Sequence, residues 1–295
     1  MTSRVPPIRK RAGNTRVTGK EQYYTPSALA AELTAELVKL IDQGTTGQPF
    51  AARTVIEPAG GTGAFIEAAR SLGATDFLSF DIEPLHSAVA LGNFLDQELG
   101  TVKGAVTLGN PPFGRNNALT IPFFNHAAPH SDYIAFILPR SWRKWSVINR
   151  LDRHFHLIAD RDLLIDYVDS EGTQLMSRKR LNTCFQVWQR QSKPRPLYSV
   201  EDLGLVTKTT PALADASLTI FGYNCGRVLT EFEPKPNTTQ MFLKLNHPDA
   251  LQALRSVDYS RFFRHTAYTE ALSLPEINFL LNEAITGDPH LVEKS

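Results

Sequence analysis

Thr54-Val55-Ile56-Glu57-Pro58-Ala59-Gly60-Gly61-Thr62-Gly63-Ala64-Phe65 is the stretch that decides the fold. A short β-branched run, a turn rich in glycine and the start of an apolar helical pattern read as strand, tight turn, helix. Glycines of this kind let the backbone approach a ligand closely. Their spacing is not G-x-G-x-x-G, and no Gly-Lys-Ser/Thr follows, so phosphate binding is not the favoured use. Glu57, just before the turn, can instead accept hydrogen bonds from a cationic amine. A plain strand–helix turn would carry the same glycines.

The next apolar run, Phe77-Leu78-Ser79-Phe80, reads as a second strand ending in Asp81-Ile82-Glu83-Pro84. An acid at that place in an α/β unit commonly accepts hydrogen bonds from ribose hydroxyls, and Asp81 has the spacing from the glycines that a nucleoside needs. A loop acid or helix cap is the plainer reading. Asn93-Phe94-Leu95 can hold an adenine edge and face, or merely close a helix.

A buried strand, Ala105-Val106-Thr107-Leu108, leads into Gly109-Asn110-Pro111-Pro112-Phe113-Gly114. In open α/β sheets ligands bind outside the carboxyl ends of strands. This loop is suited to a planar amine. The lone pair of an exocyclic adenine amine is delocalised into the ring, which makes it a poor nucleophile. Two acceptors aimed at its N–H groups favour the pyramidal, reactive geometry. The Asn110 side-chain oxygen and the Pro111 carbonyl can supply both, with Pro112 stiffening the loop. Phe113 offers a face for stacking, worth on the order of 1–3 kcal/mol for a base. Such a reaction demands mainly positioning, which can supply roughly 7–11 kcal/mol.

Upstream, residues 1–20 hold six Lys/Arg and no acid and read as a flexible basic arm. In Tyr24-Thr25-Pro26, Thr25 can cap a helix and Pro26 suits its first turn. Leu29, Leu33, Leu37, Leu40 and Ile41 form that helix's apolar stripe, which Gly44 can stop. Downstream, Tyr133 to Leu138 reads as a strand, Ser141 to Phe155 as a basic helix carrying Trp142 and Trp145, and Leu157-Ile158-Ala159 and Thr183 to Trp188 as two more strands. Asp169 to Lys179 between them reads as a mobile loop. His154 and His156 have no matching Cys/His/Asp cluster, so no metal is expected. Lys193-Pro194-Arg195-Pro196 marks a composition break. Beyond it, Leu218 to Val228 suits a hairpin, and Ser273-Leu274-Pro275-Glu276 resembles a capping box before a helix with Ile277, Leu280, Leu281, Ala284 and Ile285 on one face.

Composition is that of an ordinary globular chain: 295 residues, 42% hydrophobic, 21% charged and net charge +1. There is no stretch of transmembrane length and no signal core, so no membrane association is expected. Two cysteines, Cys184 and Cys225, suggest neither a disulfide framework nor a metal site and make an intracellular setting the default. Residues 139–195 hold twelve Lys/Arg against six Asp/Glu, which suits a polyanionic partner as well as a solvated surface.

Taken together, Tyr24-Thr25-Pro26, Glu57 to Phe65, Asp81-Ile82-Glu83-Pro84 and Asn110-Pro111-Pro112-Phe113 resemble, in order and spacing over roughly residues 20–192, the N6-adenine DNA methyltransferases whose cofactor motifs precede the catalytic loop. The resemblance implies a Rossmann-like, doubly wound, mostly parallel seven-stranded sheet with an antiparallel last strand. It implies a methyltransferase domain over 21–192 and a smaller α+β target-recognition segment over 193–295. It implies S-adenosylmethionine as cofactor, with S-adenosylhomocysteine as product. The cofactor set it carries over is Tyr24, Thr25, Pro26, Glu57 on the methionine part, Pro58, Ala59, Gly60, Gly61, Gly63, Asp81 on the ribose, Ile82, and Asn93 with Phe94 at the adenine. Asn93 departs from the family's usual Asp. Asn110, Pro111, Pro112 and Phe113 carry over as catalytic residues. Also implied are double-stranded DNA as partner, a flipped target adenine, a bacterial or phage-encoded cytoplasmic protein, and a separate restriction endonuclease as a potential partner. An RNA adenine or a protein glutamine side chain is the alternative substrate, and a non-catalytic cofactor-binding module is the alternative from another class.

Overall fold

The computed structural model describes residues 24–44, 47–114, 117–169, 173 and 181–294. The basic arm over 1–20 lies outside the described residues, as does the loop expected over 169–179 apart from Asp169 and Thr173.

The chain runs α1 (Ser27–Gln43), β1 (Val55–Glu57), α2 (Ala64–Ser71), β2 (Phe77–Asp81), β3 (Ala90–Leu91), β4 (Ala105–Gly109), α3 (Thr120–Ala127), β5 (Ser131–Pro139), α4 (Trp145–Ile148), β6 (Phe155–Leu163) and β7 (Thr183–Arg190). These strands form one seven-stranded sheet in the order β3-β2-β1-β4-β5-β7-β6. β3 through β5 pair in parallel, and β7 runs antiparallel to both neighbours. The Rossmann-like doubly wound architecture and the antiparallel last strand are therefore as expected.

Strand periodicity explains the two layers, because successive side chains point to opposite faces. Tyr133, Ala135 and Ile137 of β5 enter one core with Leu33 and Leu37 of α1 and Phe65 of α2. Ile134, Phe136 and Leu138 enter the other with Phe124 of α3, Trp142 and Trp188. Strands buried on both faces are mostly apolar, as β4 and β5 are, and their buried polar side chains Thr107 and Ser131 hydrogen-bond each other at 2.7 Å.

Two local expectations are corrected. Thr25 does not cap α1: Pro26 occupies the N-cap position with ψ 137° and no side-chain cap bond. Residues 141–155 are not one helix but a 3₁₀ turn (Arg140–Arg143), the single turn α4 and the start of β6. The reason is tertiary. The Arg195 guanidinium takes the carbonyls of Ile148 and Leu151, and Asn125 takes the Asp152 N–H, all groups a continuous helix would use itself. Trp142 is buried in the second core, whereas Trp145 packs on Phe262 and Phe279.

The remaining chain contributes β8 (Leu197–Val200), β9 (Val206–Lys208), β10 (Ala216–Thr219), β11 (Val228–Leu229), β12 (Gln240–Leu245), α5 (Ala250–Ser256), α6 (Leu274–Thr286) and β13 (Leu291–Lys294). An antiparallel sheet, β11-β10-β12-β9, shares a third core with α5 and α6, and β8 pairs with β13. The expected hairpin is present as β10–β11, closed through the Gly226 N–H to the Thr219 carbonyl. On α6, Ile277, Leu280 and Leu281 are buried and Ile285 packs against the same core, while Ala284 is exposed. Arg195 in the composition break is buried against the first sheet's connections, so the break is tied down at that residue.

Candidate active site

Strand order places three loops side by side. β2, β1 and β4 are neighbours, so the residues leaving their carboxyl ends share one crevice. A cavity of about 520 Å³ occupies it. Its walls come from Glu57 to Thr62 after β1, Asp81 and Ile82 after β2, Gly92 to Leu95 after β3, and Asn110 to Gly114 after β4. Tyr24 and Thr25 close it from the start of α1, and Leu119 and Phe123 from the start of α3.

Glu57 is 2% exposed at the end of β1. Burial pushes its carboxyl well above the usual carboxylate range, the Ser79 hydroxyl at 3.3 Å opposes this, and the Asp81 charge adds to it. A cationic group brought against it would favour the ionised form. Thr25 is also almost wholly buried, and its Oγ1 has no hydrogen-bond partner among the described residues. Asp81 is already engaged: its two oxygens accept the N–H groups of Gly61 and Glu83, each at 2.8 Å. Each carboxylate oxygen retains a lone pair for a further donor.

The glycine turn is set by backbone conformation and contact. Gly61 has φ +46°, and a Cβ there would come within 2.8 Å of the Tyr24 ring. Gly63 has φ +77°, and a Cβ there would sit 2.4 Å from the His86 ring. Neither position tolerates another L-residue without rearrangement.

In the loop after β4, Asn110 is half-buried and Pro111 buried. Phe113 is 9% exposed and packs with the first core, which holds its ring while it lines the cavity. The Thr120 hydroxyl lies 2.9 Å from the Pro112 carbonyl and 3.2 Å from that of Phe113. Among the described residues, nothing donates to the Pro111 carbonyl.

The structure thus brings Tyr24, Thr25, Glu57, Pro58, Ala59, Gly60, Gly61, Asp81, Ile82, Asn93, Phe94, Asn110, Pro111, Pro112 and Phe113 to one cavity. Pro26 and Gly63 do not line it; the first starts α1 and the second turns the chain into α2. The Asn93 side chain also caps a 3₁₀ turn, its oxygen accepting the Leu95 N–H and its amide donating to Asp96, with one lone pair and one N–H left over. Thr62, Ala64, Phe65, Leu119 and Phe123 are further lining residues. Leu119 and Phe123 stand one helical turn apart just after the loop, a spacing that would have placed both on one face.

Of the basic cluster over 139–195, Arg178 to Arg180 lie outside the described residues, and several of the described members are paired within the molecule. Arg143 pairs with Asp160 and Asp162, Arg140 with Asp162, and Arg161 with Glu32 and Glu36. Arg190 and Arg195 donate to backbone carbonyls. Arg150, Arg153 and Lys193 are the exposed basic residues of that stretch among the described ones. Among the described residues, charge count alone therefore overstates the attraction for a polyanion. The described residues contain no cluster of three metal-ligating side chains, and no described helix is long and apolar enough to cross a membrane.

No protein-family profile and no curated protein matches the chain. Its structural neighbours include methyltransferases. A provisionally named RNA methyltransferase from Pyrococcus horikoshii is 19% identical, covers 62% of this chain and 92% of its own, and has a TM-score of 0.45. A provisionally named class I S-adenosylmethionine-dependent methyltransferase from Listeria monocytogenes is 14% identical, covers 58% and 62%, and has a TM-score of 0.41. The 23S rRNA methyltransferase ErmE is 13% identical, covers 59% and 71%, and has a TM-score of 0.37. At such similarity the fold assignment rests on this chain's own strand order.

Proposed function

We propose that this protein is an S-adenosylmethionine-dependent methyltransferase that modifies the exocyclic amine of a flipped adenine in DNA. The observation that carries the reading is one cavity joining the Glu57 and Asp81 strand ends to the Asn110–Phe113 loop. The residues fit the cofactor on their own chemistry. Among the described residues Glu57 is a buried acid with no cation paired to it, Thr25 carries a buried hydroxyl oxygen lacking a partner, and Asp81 is an oriented carboxylate.

Glu57 would hold the cofactor's amine, Asp81 its ribose hydroxyls and Phe94 its adenine. When bound, the cofactor supplies an already activated methyl group on sulfur. The chain's task is then orientation. The Asn110 oxygen and the Pro111 carbonyl accept the two N–H groups of the target amine and turn its lone pair toward the cofactor side of the cavity. Phe113 stacks on the base. No side chain need remove a proton before transfer, since the methylated amine is acidic enough to lose one afterwards to water.

Asn93 lines the cavity beside Phe94, and its remaining amide N–H and oxygen lone pair would meet the adenine edge. Residues 193–295 would read the target sequence. The test is incubation with labelled S-adenosylmethionine and duplex DNA, RNA or protein in parallel. Label in adenine of DNA is expected; label confined to RNA or to protein glutamine would overturn the DNA assignment.

A further inference from the structure

Thr120 opens α3 with its side chain fully buried, but the N-cap position belongs to Leu119, which makes no side-chain cap bond. The Thr120 hydroxyl instead reaches back across the preceding loop to the carbonyls of Pro112 and Phe113, at 2.9 and 3.2 Å. A hydroxyl has a single proton, so the two carbonyls share it. They directly follow Pro111, whose carbonyl receives no donor among the described residues. Three consecutive carbonyls are thereby sorted: two are committed to the protein and one is left for a ligand. The far end of the loop is fixed as well. Asn117 is 4% exposed at φ +61°, with its side-chain amide 3.1 Å from the Ser141 hydroxyl.

We propose that Thr120 is a positioning residue for amine recognition, its hydroxyl holding the Pro112 and Phe113 peptide planes so that the Pro111 carbonyl remains the loop's acceptor for the target amine. This rests on the reading of the loop as the amine-binding element. Thr120 does not line the cavity; it acts through the backbone. The proline pair alone does not fix these planes: Pro112 restricts ψ at Pro111, but ψ at Pro112 and both angles at Phe113 are left open. A displacement of about 1 Å at a reacting group can cost on the order of 10²-fold in rate.

The test compares Thr120→Val, Thr120→Ser and Thr120→Ala in the full chain, with two readouts. The first is hydrogen exchange of the peptide covering residues 113–120, which needs no assumption about the reaction. Exchange should rise at least several-fold in the Val and Ala variants and stay at the wild-type level with Ser. Unchanged exchange in both would overturn the proposal. The second is methyl transfer: kcat should fall about 10²-fold with Val, with cofactor Kd within twofold, and recover with Ser. Equal kcat for wild type and Val would overturn the proposal, as would parallel loss of cofactor affinity. Should Val fail to fold, the Ser-against-Ala comparison isolates the hydroxyl. A wild-type protein that methylates no nucleic acid would count against the proposed function, while the exchange result would still decide the role of Thr120.

Discussion

Lys144 and Glu276, 132 residues apart, form an ion pair in which the ammonium lies 3.1 and 3.2 Å from the two carboxylate oxygens. Glu276 is 2% exposed and also accepts the N–H and hydroxyl of Ser273, forming the N-terminal capping arrangement of α6. One carboxylate therefore starts a helix of the C-terminal segment and ties it to the turn that follows β5. Trp145, the next residue, adds a stacked contact to Phe279 with ring centroids 5.6 Å apart.

Breaking that tie should be costly. Lys144 keeps 20% of its side chain exposed and rehydrates when Glu276 is removed, so Glu276→Ala loses mainly the cap and its charged hydrogen bonds, about 1–3 kcal/mol. Urea unfolding of Glu276→Ala is expected to show a loss of about 1–3 kcal/mol. A loss below roughly 1 kcal/mol, the size of a surface pair, would show that the contact is incidental.

Glu57 should trade stability for binding. Its carboxyl is raised by burial, so as pH climbs through the ordinary carboxylate range the unfolded chain ionises first and the folded protein loses stability until Glu57 itself ionises. Glu57→Gln removes that penalty. The variant should therefore be more stable than wild type near neutrality, with the difference vanishing below the usual glutamate pKa of about 4.3. Its affinity for S-adenosylmethionine should fall. Thermal melts across pH and calorimetry test both halves; a variant destabilised at neutral pH would refute the electrostatic account.

The Gly61–Tyr24 contact can be isolated by a double-mutant cycle. Gly61→Ala places a Cβ against the ring and imposes a positive φ worth about 1–2 kcal/mol. In a Tyr24→Ala background the ring clash is gone and only the backbone term remains. A coupling of about 0.5–3 kcal/mol is expected, and additivity would mean that the ring yields freely.

Asp81 should show two separable roles. Asp81→Ala removes the acceptor for both the Gly61 and Glu83 N–H groups, so it should lower stability as well as cofactor affinity. Asp81→Asn keeps one acceptor oxygen and should retain more stability than Ala while binding cofactor less tightly than wild type. If Asp81→Ala leaves affinity unchanged, the ribose assignment fails.

What the sequence revealed followed how local each signal was. β1, β2, β4 and β5 are apolar runs closed by glycine, acid or proline, and the structure finds them nearly where expected. The same holds for α1, whose Leu33–Leu37–Ile41 stripe faces the first core. Residues of the cavity were legible because they sit at strand ends in chain order. The rest depended on partners distant in sequence. The 141–155 stretch looked helical until Arg195 and Asn125 took its backbone groups, and the basic residues looked free until Asp160, Asp162, Glu32 and Glu36 met them. Thr120 gave no signal at all, since a threonine opening a helix reads as a cap, not as a support for a loop eight residues earlier.

The central claim is that Asn110 and Pro111 present an adenine amine for methylation. The most direct measurement is single-base modification mapping of DNA from cells expressing the wild-type protein or Asn110→Ala. The account predicts N6-methyladenine at a defined sequence with wild type, none with Asn110→Ala, and cofactor affinity of the purified variant within a few-fold of wild type. Unmodified DNA from cells making folded, cofactor-binding wild-type protein, or modification that persists in Asn110→Ala, would contradict it.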